Sequence, residues 1–413
     1  MTFPLRITDL EFFLPVALLY SLAIFATSIA ASAVIVRGSS KVRSLLTPQT
    51  ERNGCLDGLR GLLALSVFIH HSFTAYGYFM RGQWEWSSSP LFNQLGQSSV
   101  SMFFMLTGFL FSQRLLRSVD GRVVGWRGLY VSRVARLVPL YAAVVSAVVL
   151  SVFALTNWSL QVPPAALARE LACWYLFVIP GRPDINLLPD TATIIAGVNW
   201  SLAYEWGFYI ALPLLYFPLR FFAGPKLTRG AISMFMLVLL IGVLRGYDVV
   251  ELRLYLLHFG SGMLASLIYR DPALRRLISN RFFHGAALAG LLVLGCLLTS
   301  HSTLAVGLTL GFFLAVLGGF DMYGLLVRPS IIWLGEISYG IYLVHGMFMF
   351  WIWHFLKASG VLMEMGLISY TAMVAGVAVL ITMAASVSYV FLEKPSIDWG
   401  KGLAKRRLVA TSA

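Results

Sequence analysis

Residues 57–71 read Asp-Gly-Leu-Arg-Gly-Leu-Leu-Ala-Leu-Ser-Val-Phe-Ile-His-His, and the apolar character continues to about residue 79. A helix of about 20 apolar residues is long enough to cross the ~30 Å hydrocarbon core of a membrane. The whole chain shares this character, because 58% of its 413 residues are hydrophobic and only 12% are charged. Soluble domains carry about 25% charged residues. The sequence therefore predicts an all-α, polytopic transmembrane helical bundle.

Apolar segments of spanning length recur along the chain. They lie at residues 12–36, 59–79, 98–113, 137–155, 198–219, 230–247, 253–269, 283–299, 303–320, 332–356 and 366–391. A further stretch, 165–180, holds only about ten apolar residues before Pro180, which suits an interfacial or re-entrant piece better than a span. We therefore predict eleven spans, of which the first is an extra N-terminal helix before a core of ten.

The distribution of basic residues supports this count. With residues 37–58 in the cytoplasm and 165–180 not spanning, 24 of the 31 Lys and Arg residues lie in cytoplasmic segments and 7 lie outside. If 165–180 crossed the membrane, the split would become 15 against 16. Cytoplasmic loops carry an excess of Lys and Arg. The charge pattern thus favours eleven spans, with the N-terminus outside and the C-terminus in the cytoplasm.

The first apolar segment invites comparison with a signal peptide, since Ala31-Ser32-Ala33 looks like a cleavage site. A signal peptide begins with a positive region, whereas here Arg6 is outweighed by Asp9 and Glu11. The positive charges follow the apolar run instead. We expect an uncleaved span.

Composition also argues against some classes of site and partner. The three cysteines are scattered and the seven histidines lack ligand spacing, so we predict no metal site. The net charge of +13 would suit nucleic acid or an anionic membrane surface. In a membrane protein its distribution among loops matters more than its total, and we predict membrane lipids rather than nucleic acid as partners.

Ionisable residues inside spans are costly and mark functional sites by default. Arg60 and His71 are eleven residues apart, so they share one helix face and are separated by about 16 Å along the axis. His70 points about 80° away from that face. Taken singly, Arg60 also fits a snorkelling anchor, and His71 fits an interhelical hydrogen bond.

Three further segments carry candidate residues. Arg133 and Arg136, at i and i+3, form a two-pronged anion site or a positive anchor at a cytoplasmic helix start. Glu205 is a carboxylate in a long apolar and aromatic segment, where it orients a histidine, binds acceptor hydroxyls or forms an ion pair. Thr107-Gly108 lies in an aromatic helix and predicts close helix packing.

Read in order, these segments resemble the acyltransferase 3 family of membrane O-acyltransferases. The resemblance covers about residues 53–396. We therefore predict three parts: an extra helix with a basic loop at 1–52, the acyltransferase core at 53–396 and a basic cytoplasmic tail at 397–413. The matching motifs are Leu-Asp-Gly-Leu-Arg-Gly at 56–61, the Arg60 and His71 spacing, Phe-Phe-x-Leu-Thr-Gly-Phe at 103–109, Arg133 and Arg136, Trp-Ser-Leu-x-x-Glu at 200–205, Gly335 with Ser338, Tyr339, Tyr342 and His345, and Glu-Lys-Pro at 393–395.

The resemblance implies transfer of an acyl group, usually acetyl, from a cytoplasmic acyl-CoA to a hydroxyl. Family acceptors are mostly sugars of O-antigen, exopolysaccharide or peptidoglycan, and sometimes macrolides or other small molecules. We therefore predict acetyl-CoA as donor, a cell-surface glycan or lipid-linked saccharide as acceptor, and the bacterial inner membrane as location. The predicted substrate-binding residues are Asp57, Trp200, Ser201, Tyr204, Tyr339 and His345.

On this hypothesis, Arg133, Arg136 and Arg60 hold the phosphates and thioester of acyl-CoA. His71 acts as general base on the acceptor hydroxyl or as transient acyl carrier, and neutral imidazole suits both roles. Glu205 orients the chemistry or binds the acceptor. Trp84 and Trp86 either stack on sugar faces or belong to an interfacial aromatic belt.

Other functional classes stay open from the sequence. A transporter of a lipid-linked glycan or a drug is one alternative, although no internal repeat of the kind typical of transporters is evident. A haem-bearing electron carrier using the histidines is another, and it would show a Soret absorbance. The ionisable residues within spans favour the transferase over a purely structural membrane protein.

Overall fold

The computed structural model describes residues 7–8, 10, 13–46, 54–119, 124–221, 250–298 and 302–410. Throughout these residues the regular structure is helical and there is no strand, which confirms the predicted all-α class. The helices are α1 (Leu14–Gly38), α2 (Ser40–Leu45), α3 (Gly54–Arg81), α4 (Pro90–Val119), α5 (Trp126–Leu155), α6 (Pro164–Tyr175), a 3₁₀ helix (Thr191–Ile195), α7 (Trp200–Phe221), α8 (Val250–Arg270), α9 (Pro272–Ile278), α10 (Arg281–Leu297), α11 (Thr303–Leu317), α12 (Pro329–Glu336), α13 (Ser338–Ala358), α14 (Val361–Glu364), α15 (Leu367–Ser388), a π-helix (Tyr389–Glu393) and α16 (Lys394–Ala410).

Ten of the predicted spans coincide with these helices, and the other, at 230–247, lies outside the described residues. By length and composition, four helical runs among the described residues can each cross a membrane: α1, α4, α5 and the run Leu367–Leu403. The number rises to six if the bent pairs α9–α10 and α12–α13 each form one span. This is the architecture of a multi-pass membrane protein, while the total of eleven spans stays a prediction.

The short segment at 165–180 forms helix α6, which has only 12 residues. At 1.5 Å per residue such a helix is about 18 Å long, well short of the ~30 Å hydrocarbon core. Turns and the 3₁₀ helix follow it before α7 begins. Its length agrees with the prediction that this segment does not cross the membrane.

The predicted span at 332–356 is not one continuous helix. It breaks at Ile337, whose φ of −90° and ψ of 7° leave the helical region, and α12 and α13 meet at a bend of 70°. A close contact holds α12 in place, because a Cβ on Gly335 would overlap the carbonyl group of Asp57 on α3. The break therefore brings the residues on both of its sides against α3.

Glycines also join α4 to α8. A Cβ on Gly108 would collide with the carbonyl of Phe259, and a Cβ on Gly262 would collide with the carbonyl of Met105. The two backbones thus touch reciprocally, as small residues allow between membrane helices. The close packing predicted from Thr107-Gly108 is confirmed. With α12 and α13, α4 encloses α3, most of which is buried.

Candidate functional site

A pocket of about 170 Å³ lies where α3, α4, α5, α7 and α13 converge. Its polar lining includes three arginines, one carboxylate and several hydroxyl groups, and aromatic and aliphatic side chains complete the wall. We call it the arginine pocket. Its polar lining residues are Arg60, Thr107, Arg133, Arg136, Ser201, Glu205, Tyr209, Ser338, Tyr339 and Tyr342.

The charges of the arginine pocket are individually positioned. Nη1 of Arg60 lies 4.0 Å from Oδ1 of Asp57, one helical turn earlier on α3. The guanidinium of Arg133 lies over the ring of Phe111, 5.5 Å from its centroid, which fixes its plane through a cation–π contact. Three arginines against one lining carboxylate make the pocket cationic. Guanidinium groups match the geometry of phosphate and carboxylate oxygens.

Glu205 is the carboxylate that lines this pocket. Its Oε2 accepts a hydrogen bond of 3.0 Å from the hydroxyl of Tyr209, one turn further along α7. Its Oε1 lies 3.5 Å from the hydroxyl of Thr107 on α4. These contacts stabilise a partly buried carboxylate, a group that is costly to remove from water without partners. Glu205 is thereby fixed opposite the arginines.

A second cluster lies further along α3. Nδ1 of His71 is 2.9 Å from Nε2 of His345 on α13, and the two rings stack with centroids 5.2 Å apart. Nδ1 of His345 is in turn 2.9 Å from the backbone carbonyl of Ile341. His345 is fully buried, whereas His71 is partly exposed. We call these two side chains the histidine pair.

The hydrogen bonds of the histidine pair determine which nitrogens carry protons. A backbone carbonyl only accepts, so the neutral His345 ring carries its proton on Nδ1 and leaves Nε2 as an acceptor. His71 must then donate from Nδ1 to that acceptor. In the neutral His71 ring the remaining nitrogen, Nε2, is then unprotonated. An unprotonated Nε2 on a partly exposed ring can accept a proton or act as a nucleophile.

Neighbouring aromatic rings surround the histidine pair. The ring of Trp84 lies 5.9 Å from that of His71, and the ring of Trp86 lies 5.6 Å from that of His70. His70 is buried, and its Nδ1 donates a 2.8 Å hydrogen bond to the carbonyl of Phe92. Both histidines therefore border the loop that carries the two tryptophans, and His71 is the more exposed of the two.

Tyr342 connects the two clusters. Its side chain lines the arginine pocket, and its hydroxyl lies 2.8 Å from that of Ser201. One turn later on the same helix comes His345, whose ring centroid is 6.2 Å from that of Tyr342. The Tyr342–Ser201 contact thus stands between the pocket and the histidine pair.

The structure divides the predicted site residues between several places. Six of them line the arginine pocket, namely Arg60, Arg133, Arg136, Ser201, Glu205 and Tyr339. His71 and His345 form the histidine pair instead. Asp57 contacts Arg60, and Trp200 and Tyr204 pack edge-to-face against each other and against Phe104. The eleven predicted residues therefore do not form one cluster.

Some pocket residues were not among the predicted site residues. Tyr209 lies four residues after Glu205 on α7, and Tyr342 lies three residues before His345 on α13. Residues three or four apart share a helix face, so helical spacing from each ionisable residue would have found both. Thr107 had been assigned to helix packing alone, yet its side chain lines the pocket.

Two buried carboxylates lie at the junction of α12, α13 and the π-helix. Oε2 of Glu336 accepts a 2.6 Å hydrogen bond from the hydroxyl of Tyr389. Oε1 of Glu393, from the Glu-Lys-Pro motif, accepts one of 3.3 Å from the hydroxyl of Ser388. Glu393 also interacts electrostatically with Arg136 and Arg60. Neither carboxylate is among the lining residues of the arginine pocket. Among the residues that the structure describes, no group of three or more His, Cys, Asp or Glu side chains is placed to hold a metal ion.

Comparisons with known proteins identify the family of this chain. The sequence model of the acyltransferase 3 family, described as an acyltransferase domain, matches residues 53–390. The acyltransferase MdmB of Streptomyces mycarofaciens is 31% identical over 174 residues, a region that spans 41% of this chain and 41% of that protein. No solved structure matches the chain. Since the family match covers most of the sequence, including both residue clusters, the chain belongs to the acyltransferase 3 family.

Proposed function

We propose that this protein is an integral membrane O-acyltransferase, which transfers an acyl group, most simply acetyl, from acyl-CoA to a hydroxyl group. The observation that carries the proposal is the pairing of two features on α3. A cationic pocket around Arg60 lies eleven residues before an imidazole with an unprotonated nitrogen, His71. The cationic pocket suits an anionic donor, and the imidazole suits the activation of a hydroxyl acceptor.

The arginine pocket supports binding of the donor. Coenzyme A carries its negative charges on phosphates at one end and its thioester at the end of an extended pantetheine arm. Arg60, Arg133 and Arg136 supply guanidinium groups that match those anions. The eleven residues between Arg60 and His71 correspond to about 16 Å along α3. The arm can therefore span from the pocket toward the histidine pair.

His71 is the proposed catalytic residue. In one route, its Nε2 accepts the proton of the acceptor hydroxyl while the hydroxyl oxygen attacks the thioester carbonyl, and the coenzyme A thiolate leaves. In the other route, Nε2 attacks the thioester carbonyl and the coenzyme A thiolate leaves. The acceptor hydroxyl oxygen then attacks the acyl-imidazole, the imidazole of His71 leaves, and the hydroxyl proton passes to the thiolate. In both routes the hydrogen bond from Nδ1 to His345 stabilises the charge that develops on the His71 ring.

The acceptor we propose is a cell-surface glycan, such as O-antigen or exopolysaccharide, or its lipid-linked precursor. The position of Trp84 next to His71 supports it, because an indole ring offers a flat apolar face for a sugar ring. In the predicted topology the end of α3 that carries Trp84 and Trp86 faces outward, while the end that carries Arg60 faces the cytoplasm. Donor and acceptor would then approach from opposite sides of the inner membrane.

The test compares surface glycans from a strain that lacks the gene with those from the same strain carrying a plasmid copy. The proposal predicts that the glycan from the complemented strain is heavier by the mass of one or more acetyl groups. Purified protein in lipid nanodiscs should also release free coenzyme A from acetyl-CoA when acceptor is present. Movement of glycan across the membrane without consumption of acetyl-CoA would contradict the proposal and favour a transporter.

A further inference from the structure

A second basic cavity, of about 470 Å³, lies where the C-terminal ends of α4 and α8 meet α9. Three of its lining residues are arginines and none carries a carboxylate. We call it the basic cleft, and it is formed by Gln113, Tyr269, Arg270, Arg275, Arg276 and Ser279, with Pro272 at its edge. The proposed function does not use it.

The arginines of the basic cleft are fixed by specific contacts. Nε of Arg270 donates a 3.0 Å hydrogen bond to Oε1 of Gln113, which ties the end of α8 to α4. The guanidinium of Arg275 lies over the ring of Tyr269 at 4.6 Å from its centroid, a contact that leaves the edge of the guanidinium for an anion. The nearby carboxylate of Asp271 accepts hydrogen bonds from the backbone of Ala273 and Leu274 at the start of α9.

Helix α4 joins the basic cleft to the arginine pocket. Leu106 and Leu110 line the pocket, and Gln113 lines the cleft. The spacing of four and then three residues places these side chains along one face of α4, with Leu106 and Gln113 about 10 Å apart along the axis. Leu110, between them on this face, is 49% exposed.

Size separates the roles of the two cavities. Cavities that take a ligand the size of a nucleotide measure about 300–1,000 Å³. The basic cleft, at about 470 Å³, lies within this range, and the arginine pocket, at about 170 Å³, lies below it. A donor whose pyrophosphate and pantetheine arm lie at the pocket, with its thioester toward the histidine pair, then places its adenosine outside the pocket.

We propose that the basic cleft binds the adenosine 3′-phosphate end of the acyl-CoA donor, with Arg275 and Arg276 contacting the 3′-phosphate. This inference rests on the proposed function, because it assigns the far end of the same donor. The arginine pocket then holds the pyrophosphate and the pantetheine arm. A phosphate held by several guanidinium groups is a recurring mode of anion recognition.

The test measures the binding of two nucleotides to the full-length protein in phosphatidylcholine nanodiscs by calorimetry. Adenosine 3′,5′-bisphosphate carries the 3′-phosphate, and adenosine 5′-monophosphate lacks it. We expect the wild type to bind the bisphosphate more tightly. Arg276→Gln, which changes an exposed side chain, should weaken bisphosphate binding about tenfold, the loss expected for one charge-assisted hydrogen bond. It should leave binding of the monophosphate unchanged.

The matched control is Arg281→Gln, which removes the same charge from an exposed arginine at the start of α10, outside the cleft lining. Equal affinity of the wild type for both nucleotides would overturn the inference, as would equal losses in the two variants. The inference would also be overturned if Arg276→Gln changed bisphosphate affinity only in nanodiscs of phosphatidylglycerol and not in those of phosphatidylcholine. The cleft would then bind a lipid headgroup.

Acetyl transfer is measured separately on the wild type with acetyl-CoA and acetyl-dephospho-CoA. Absence of transfer from acetyl-CoA would contradict the proposed function. The nucleotide-binding experiment separately tests whether the basic cleft binds the 3′-phosphate. If the wild type transfers acetyl, we expect its KM for acetyl-dephospho-CoA to be about tenfold higher than its KM for acetyl-CoA. In Arg276→Gln the two KM values should converge. A constant ratio of the two KM values in both proteins would overturn the inference.

Discussion

The arginine pocket and the histidine pair both include a residue of α3, Arg60 and His71, but they are built in different ways. Five helices contribute to the pocket, and its arginines face a shared space. The histidine pair is a linear chain of two hydrogen bonds of 2.9 Å that ends at a backbone carbonyl on α13. Several charges around a space recognise an anion, whereas a hydrogen-bonded chain determines the state of one atom, Nε2 of His71.

This difference predicts that the two regions fail differently when they are changed. Loss of one arginine leaves two others in the pocket, so donor binding should weaken without disappearing. Loss of His71 leaves no second nitrogen in its place, so the chemical step should fail. The predictions below test this contrast.

The largest effect is expected at His71. His71→Gln should lower kcat for acetyl transfer about 10²–10⁴-fold, the usual contribution of general acid–base catalysis. The matched variant is His70→Gln, at the neighbouring buried position, where the amide can replace the hydrogen bond to the carbonyl of Phe92. That variant should keep most of the activity. Equal losses at both positions, with equal amounts of folded protein, would refute a special role for His71.

The next effect concerns the arginine pocket. Arg136→Gln should raise the KM for acetyl-CoA about tenfold with a smaller change in kcat, since one charged contact to the donor is lost. Arg60→Lys, which keeps the charge, should have a milder effect. Arg127→Gln is the control, because Arg127 is exposed near the start of α5 and lies outside the pocket lining. A loss confined to kcat in Arg136→Gln would place this arginine in the chemical step instead.

His345 is expected to act through His71 as a positioning residue. His345→Ala should lower kcat about tenfold and leave the KM for acetyl-CoA unchanged, because His71 loses the acceptor of its Nδ1 proton. His345→Gln offers an amide oxygen as a substitute acceptor and should recover part of that loss. Direct contact of His345 with the acceptor substrate would be indicated instead by a raised acceptor KM in both variants.

The smallest effect is expected at the contact between α3 and α12, where Gly61 lies against Gly335. A Cβ on Gly61 would lie 2.7 Å from the backbone nitrogen of Gly335, so Gly61→Ala must push α12 away from α3. We expect a loss of about 1–3 kcal/mol in stability and a lower thermal unfolding temperature. Gly54→Ala, where the new Cβ meets only an ordinary contact at 3.7 Å, is the control. Equal unfolding temperatures for the two variants would disprove the close approach.

Much of the fold could be predicted from the sequence, because apolar runs reveal membrane helices directly. The break at Ile337 could not, since the close contact beside it joins Gly335 to Asp57, which lies far away in the sequence. Apolar character alone does not show where a membrane helix bends. The short helix at Pro164–Tyr175 could be predicted from the length of its apolar stretch, while its position relative to the membrane stays a prediction.

The site could be predicted residue by residue but not as an arrangement. Helical spacing placed Arg60 and His71 on one face, and Arg133, Arg136 and Glu205 stood out as charged residues at or within apolar segments. The hydrogen bond between His71 and His345 joins residues 274 positions apart, and no local pattern encodes it. His345 was therefore predicted to bind substrate, while its geometry favours the positioning of His71. That role is a proposal, as is the catalytic role of His71.

The central claim is that donor binding and chemistry occur at separate places along α3. The most direct test measures the binding of coenzyme A to His71→Gln and to Arg136→Gln in nanodiscs, together with acetyl transfer by the same preparations. The account predicts that His71→Gln binds coenzyme A with the affinity of the wild type but does not transfer acetyl, while Arg136→Gln binds about tenfold more weakly and still transfers. A parallel loss of coenzyme A affinity and transfer in His71→Gln would contradict it.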